Sequence, residues 1–459
     1  MLTLGSQSAQ VKAGDAGGLP EAARRRKAGG HIRQLTRRAM HKRPRHSSWR
    51  VLRHHDFCLY FGGSLLSNVG TWLQNTAQAL LAYQLTHSVL AVGVVTCAQF
   101  AGSLFLGPWA AVVASRVGGR RLLIITQLIS AGIAFGLAEL EWAGDLREGL
   151  LVAGALGLGL AFTFALPIQT TLVSRLVPEA DTEAAMTMNS VSYNTGRALA
   201  PILCVIVITT IGFGWAFALN AISFVVFAAM LTLMRRGRES RPPQPSRLWD
   251  GVRIALLQPR IALLLAMVAT VTIADDPVLV LGPALARHLG ASNDWAGYFL
   301  AALGCGTVLG SLTPKARKRG TTSHASQRAA GSLLILAVAI VVFAAGFSTW
   351  VSLLAAITAG MAALATGATT QTLLVQRSPA DAASVMALWA IAWAGTKPLA
   401  SLIDGWLASA FGILPAAAVL VVPALLLGLF EICLPSRRKK QIKQRARAWG
   451  KSAVAAPVP

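Results

Sequence analysis

The chain has 459 residues, 54% of them hydrophobic and only 13% charged, with a mean hydropathy of +0.57. A soluble domain carries about 25% charged residues, so this composition excludes one; the apolar content excludes a disordered chain, and five cysteines exclude a disulfide scaffold. What remains is an integral membrane protein whose net charge of +24 means either nucleic-acid binding or basic cytoplasmic loops.

The first 52 residues are rich in Gly, Ala and Arg and lack periodicity, so they read as a disordered basic tail. No apolar stretch follows the early charges, so the tail is not read as a signal peptide. Met40 is a second candidate start, and residues 1–39 are expected to be dispensable. A bilayer span needs roughly 20 apolar residues, and twelve such runs follow. They are 57–84, 88–114, 121–143, 149–176, 184–211 and 214–234, then 261–287, 294–314, 328–346, 350–376, 383–411 and 413–434. The expected fold is an all-α integral membrane protein with twelve transmembrane helices in two six-helix bundles. The bundles take residues 53–234 and 261–434, with a cytoplasmic linker over 235–260 and a basic tail over 435–459. Several runs exceed the bilayer thickness, so tilt is expected.

Placing both termini in the cytoplasm puts 38 of the 42 Lys and Arg residues on that side, and only Arg147 and Arg287 outside. That asymmetry sets the orientation and explains the charge without nucleic acid. Trp142, Trp215, Trp295 and Trp350 fall at the external ends of spans, where an indole ring sits with its N–H wet. Cys58, Cys97, Cys204, Cys305 and Cys433 all lie in or beside spans and read as small apolar packers.

The halves repeat at an offset of about 200. Gln169-Thr-Thr-Leu-Val-Ser-Arg175 with Pro178, Asp181 and Met186 matches Gln371-Thr-Leu-Leu-Val-Gln-Arg377 with Pro379, Asp381 and Met386, and Arg197 matches Lys397. Parallel six-span repeats place a substrate site between them near the midplane.

With Leu52-Arg-His-His-Asp-Phe57, Ser67-Asn-Val-Gly-Thr-Trp72, Ala114-Ser-Arg-Val-Gly-Gly-Arg-Arg121, Asn189-Ser-Val-Ser-Tyr-Asn-Thr-Gly-Arg197 and Gly297-Tyr-Phe-Leu-Ala-Ala-Leu-Gly304, residues ~50–434 resemble the major facilitator superfamily. Within it the chain resembles bacterial drug and siderophore exporters of the transmembrane secretion effector type. The resemblance implies a cavity lined by spans one, four, seven and ten, with span eleven beside span seven. It also implies a gating loop at Ser115, Arg116, Gly118, Arg120 and Arg121. There the family's Asp is replaced by Ser115 and an earlier Gly by Ala111, and Ala200-Pro201 stands where span five prefers Gly-Pro.

Ionisable residues within a bilayer cost about 2.5–3.5 kcal/mol each on insertion scales, which makes them functional candidates. At ~1.5 Å per residue, Arg197, Asp275, Asp276 and Lys397 all lie roughly 20 Å from the cytoplasmic ends of their spans. Glu139, Asp404 and Glu431 fall nearer the interfaces. Two adjacent carboxylates do not both ionise easily, so Asp275 and Asp276 are the proton-coupling candidates; the alternative is a structural ion pair, with Lys397 neutralising one of them. Arg197 and Lys397 read as anion ligands, latches or packing charges. Cavity polarity is assigned to Asn68, Gln74, Asn75, Gln78, Gln169, Thr366, Thr369, Thr370 and Gln371, each also able to make a helix–helix hydrogen bond. Pro167 and Pro201 are expected to kink their helices, and Gly304, Gly306 and Gly310 to form a close-packing face.

His54-His55-Asp56 sits among basic residues and is not read as a metal or catalytic site. No phosphate-binding Gly-x-x-x-x-Gly-Lys-Ser/Thr loop occurs, so an ion gradient is the expected energy source. The expected function is a proton-coupled exporter of small amphipathic molecules in the cell membrane, monomeric, without a cofactor or catalytic residues. The alternatives are an importer of the same fold, a transport-inactive scaffold or sensor, and a multi-span enzyme.

Overall fold

In a computed structural model the described residues are 48–106, 109, 113, 118–235, 248–292, 294–312, 322–378 and 382–454. They are almost wholly helical and contain no strand. The first half gives α1 (His55–Thr86), α2 (Val89–Phe105), α3 (Gly119–Trp142), α4 (Glu148–Arg175), α5 (Thr182–Thr210) and α6 (Phe213–Leu233). A ten-residue helix, Leu248–Leu257, precedes α7 (Pro259–Val280), which continues after one residue as the short helix Gly282–His288. Then come α8 (Asp294–Leu312), α9 (Thr322–Ala345), α10 (Thr349–Arg377), α11 and α12 (Ile413–Val454). α11 is built of Ala382–Ala390, a π-helical turn Ile391–Gly395 and Lys397–Phe411. The sequence run 261–287 is thus two helices, and 383–411 is three segments. Residues 1–47, with Met40, lie outside the described residues, as do Ala111, Ser115 and Arg116.

Hydrocarbon offers no hydrogen bonds, so an apolar run that crosses it must satisfy its backbone internally, as a helix does. Nine of the described helical stretches are long and apolar enough to span a membrane. Their outer faces carry exposed apolar side chains at helical spacing, such as Ile125, Leu128, Ile129 and Phe135 on α3 and Leu426, Leu429 and Phe430 on α12. Water would not tolerate so broad an apolar surface; lipid does.

The repeat is written into the backbone as well. Gly212 before α6 and Gly412 before α12 have φ of 96° and 93°, a left-handed entry that favours glycine, and they are 200 residues apart. The tryptophans at span ends also pair alike: Trp142 with Trp215 at 5.3 Å, and Trp295 with Trp350 at 5.5 Å, both edge to face.

Within Val51–Pro459, which is one compact unit, the two halves meet along α2–α11 and α5–α8. Small residues allow the approach. A Cβ on Gly304 of α8 would lie 2.7 Å from the Ala198 carbonyl oxygen of α5. Gly93 of α2 lies directly on the Ser401 carbonyl and the Gly405 backbone of α11. These contacts run from the level of Arg197 and Lys397 towards the α1–α2 and α5–α6 turns. The expected packing role of Gly306 and Gly310 is visible too, against the Ile357 and Met361 backbones of α10.

Candidate functional site: a buried charge cluster between the halves

Three helices bring four charges together at the junction of the halves. Arg197 Nη2 of α5 donates to Asp275 Oδ2 of α7 at 2.5 Å. Lys397 Nζ, at the start of the last segment of α11, lies 3.8 Å from Asp275 Oδ1 and 3.1 Å from Asp276 Oδ1. Asp275 and Asp276 are 5% and 0% exposed. The sequence supplied Lys397 alone as a partner for the two carboxylates. Arg197 is a second cation, so neither Asp275 nor Asp276 is the orphaned charge.

Local breaks in the helices aim these groups. Pro277 and Pro398 have no N–H, so the carbonyls of Ile273 and Ala394 lose their usual helical donors. In α11 the result is the π-turn that ends at Gly395, just before Lys397. That turn also presents Trp393, whose ring meets Tyr193 of α5 at 5.6 Å; Tyr193 in turn meets Trp72 of α1 at 5.8 Å. The Arg197 guanidinium lies 5.7 Å from the Trp72 ring centre, and Lys397 Nζ 5.8 Å from that of Phe100. This aromatic frame was not found from sequence, because an aromatic residue in an apolar span carries no distinguishing local signal.

Two of the acids placed near the span ends are shielded by protein. Glu431 is buried: Arg260 Nη1 donates to both its oxygens at 2.8 Å, and Ser326 Oγ donates at 2.6 Å. Asp404 is 0% exposed, and among the described residues both its oxygens lack a hydrogen-bond partner. Position along the helix puts Asp404 towards the Phe411 end, but its face packs on another helix, which depth alone does not register. Glu139 is exposed, as expected.

The cavity candidates separate into two groups. Asn68, Asn75 and Gln169 line a cleft of about 740 Å³, open space at its mouth included, together with Trp72, Tyr193 and Phe100. All its lining comes from α1 to α6, and none of it is charged. Gln99, Gln127, Ser130 and Asn220 line it too, polar residues whose positions in spans two, three and six gave no reason to select them. Gln74 and Gln78 instead make interhelical bonds: Asn220 Nδ2 donates to Gln74 at 2.6 Å, and Gln99 Nε2 to Gln78 at 2.9 Å. Thr366, Thr369 and Thr370 donate to carbonyls of α10 itself, four residues back, and do not line the cleft. A threonine hydroxyl in a helix finds that acceptor locally; Thr366 also reaches the Ala329 carbonyl of α9 at 3.4 Å. Gln371 is half-buried near the end of α10, also away from the cleft.

Of the gating-loop residues, Gly118 has φ 91° and leads into α3. Arg120 donates to the carbonyls of Thr232, Met234 and Arg235, capping α6 within its own half. Arg121 is exposed in the first turn of α3. His54 Nε2 lies 3.1 Å from Asp181 Oδ2, a link between the α1 and α5 entrances, and no group of three metal-ligating residues occurs among the described residues.

Residues 46–458 match the model of the transmembrane secretion effector family. The chain belongs to that family, within the major facilitator superfamily. It is similar to the enterobactin exporter EntS of Shigella flexneri, 27% identical over 268 residues that cover 57% of this chain and 62% of that protein. EntS of Salmonella typhimurium is also 27% identical, over 57% of this chain and 63% of its own length. The chain thus spans less than two thirds of the curated relatives it matches. Among solved structures, the POT family transporter PepTSo has a TM-score of 0.67 at 11% identity, covering 84% of this chain and 99% of that one. The nucleoside transporter NupG has a TM-score of 0.64 at 12% identity, covering 82% of this chain and 98% of that one. These two share the fold alone. The family and its relatives are membrane transporters rather than enzymes.

Proposed function

We propose that the protein is a proton-coupled secondary exporter of small amphipathic molecules, working in the cell membrane as a monomer with both termini cytoplasmic. The observation that carries this reading is the cluster in which α5 of one half and α11 of the other converge on Asp275 and Asp276 of α7. Groups that link two halves across a cavity change partners when the halves rock about it, which is how an ion gradient can drive alternating access. Asp275 or Asp276 carries the transported proton in its turn, exchanging it for Arg197 and Lys397 as partners. The two six-helix halves are the moving bodies, and the linker over 235–260 joins them. The exporter direction rests on the EntS relatives, and the uncharged cleft of amides and aromatics suits an amphipathic substrate.

The test is a substrate screen in proteoliposomes with an internal pH dye. Purified protein should move protons only when a transported compound is supplied, and against its flow. Transport indifferent to the pH gradient would remove the coupling, and no transport of any compound would favour a scaffold.

A further inference from the structure

The central cluster leaves one carboxylate unaccounted for. Arg197 and Lys397 supply two positive charges to three buried acids: Asp275, Asp276 and Asp404. The two cations engage Asp275 and Asp276. Asp404 lies seven residues beyond Lys397, two turns along α11, and both its oxygens are buried without a hydrogen-bond partner among the described residues. An ionised carboxylate in that setting has neither water nor a counter-charge, so it takes the neutral, protonated form.

Its surroundings are those of a closure. α2 and α11 touch backbone to backbone on both sides of it, Gly93 on Ser401 about one turn before and Val89 and Leu90 on Gly405, the very next residue. α2 brings one titratable group, Cys97. α7 faces α11 with Asp275 and Asp276, both of which lie against Lys397. On α11 itself the nearest charge is Lys397. α12 contributes Glu431 and Cys433; it runs back from the turn at Gly412, so Glu431 lies roughly 15 Å further from that turn than Asp404, and its oxygens are held by Arg260 and Ser326. The π-turn carries no titratable side chain. None of these provides Asp404 with a cation of its own.

We infer that Asp404 is a proton-binding site on the outer side of the central cluster, and that the α2–α11 contact closes only when this carboxyl is protonated. The inference rests on the alternating-access reading. When α2 and α11 part, water reaches Asp404 and it releases its proton to the outer solution or takes one from it. When they close, the proton is trapped on a carboxyl oxygen, in the field of Asp276. The closed form therefore binds one more proton than the open form, so low outer pH favours closure and rising pH favours opening.

The experiment uses the full chain without its native cysteines, carrying one cysteine at Leu90 in the α2–α11 contact. Labelling by an impermeant thiol reagent is measured in cells against outer pH, each rate being normalised to the same cysteine in the detergent-unfolded protein. Wild-type Asp404 should give normalised labelling that rises with pH, by at most about tenfold per pH unit for a single proton. Asp404→Asn should stay slow and flat, and Asp404→Glu should recover the pH dependence. Thermal melting of the purified proteins guards against a folding defect: the wild-type midpoint should fall as pH rises, and that of Asp404→Asn should not. A pH dependence unchanged in Asp404→Asn would overturn the inference and leave alternating access standing. An absence of Leu90 labelling at every pH, with transport also absent, would overturn both.

Discussion

Arg197 and Lys397, equivalent residues of the two halves and 200 positions apart, approach the two oxygens of one carboxylate, Asp275. A pair of repeat-related cations thus closes on a single carboxylate of α7.

The Arg197–Asp275 pair should be separable into structure and function. Breaking a buried pair leaves an uncompensated charge, at a cost of about 3–5 kcal/mol. Arg197→Met and Asp275→Asn are each expected to lower the melting temperature in detergent. The double variant should regain most of that loss while pH-driven transport stays absent. Transport restored together with stability would make the pair a structural one.

The clasp between α5 and α8 should tolerate no bulk. Gly304→Leu places a side chain where a Cβ alone is 2.7 Å from the Ala198 carbonyl oxygen; overpacking of this kind costs about 1–3 kcal/mol. The helices are expected to be held apart, with a cysteine at Val205 labelled faster from outside and transport lost. Normal transport would show that this contact is not part of the cycle.

Arg120 should matter for stability more than for coupling. Its guanidinium meets three carbonyls at the end of α6, and hydrogen bonds from a charged group contribute about 1.5–3 kcal/mol. Arg120→Ala should lower the melting temperature, leaving the proton-to-substrate ratio of the surviving protein unchanged. A changed ratio would place Arg120 in the gate instead.

Orientation is checked by labelling. A cysteine at Gly144, in the α3–α4 turn, should react with an impermeant reagent in intact cells, whereas one at Gly237 should be protected. The reverse pattern would invert the topology derived from the basic residues.

Most of the fold was legible because lipid imposes a simple rule: apolar runs of span length become helices, and their order and ends follow the charges. The breaks inside spans seven and eleven were not read, although Pro277 and Pro398 stood at both. The four central charges were found by depth, since a charge in an apolar span stands out. The pairing of Lys397 with one carboxylate was legible too; that of Arg197 was not, because it meets Asp275 only through the way α5 and α7 face each other. The same limit explains Asp404: counting residues gives height in the membrane but not which neighbour covers the face. The α10 threonines were assigned to the cavity or to helix–helix bonds; their hydroxyls turn back to their own helix, and that of Thr366 also reaches the Ala329 carbonyl of α9.

The most direct measurement takes a substrate found in the proteoliposome screen and follows its pH-driven uptake into inverted vesicles carrying Asp275→Asn or Asp276→Asn. Loss of uphill uptake with downhill exchange retained is the expected result for the carboxylate that carries the proton, and adding Lys397→Met should not restore uptake. Full uphill uptake in both single variants at normal expression, or its rescue by Lys397→Met, would contradict a coupling role for the pair.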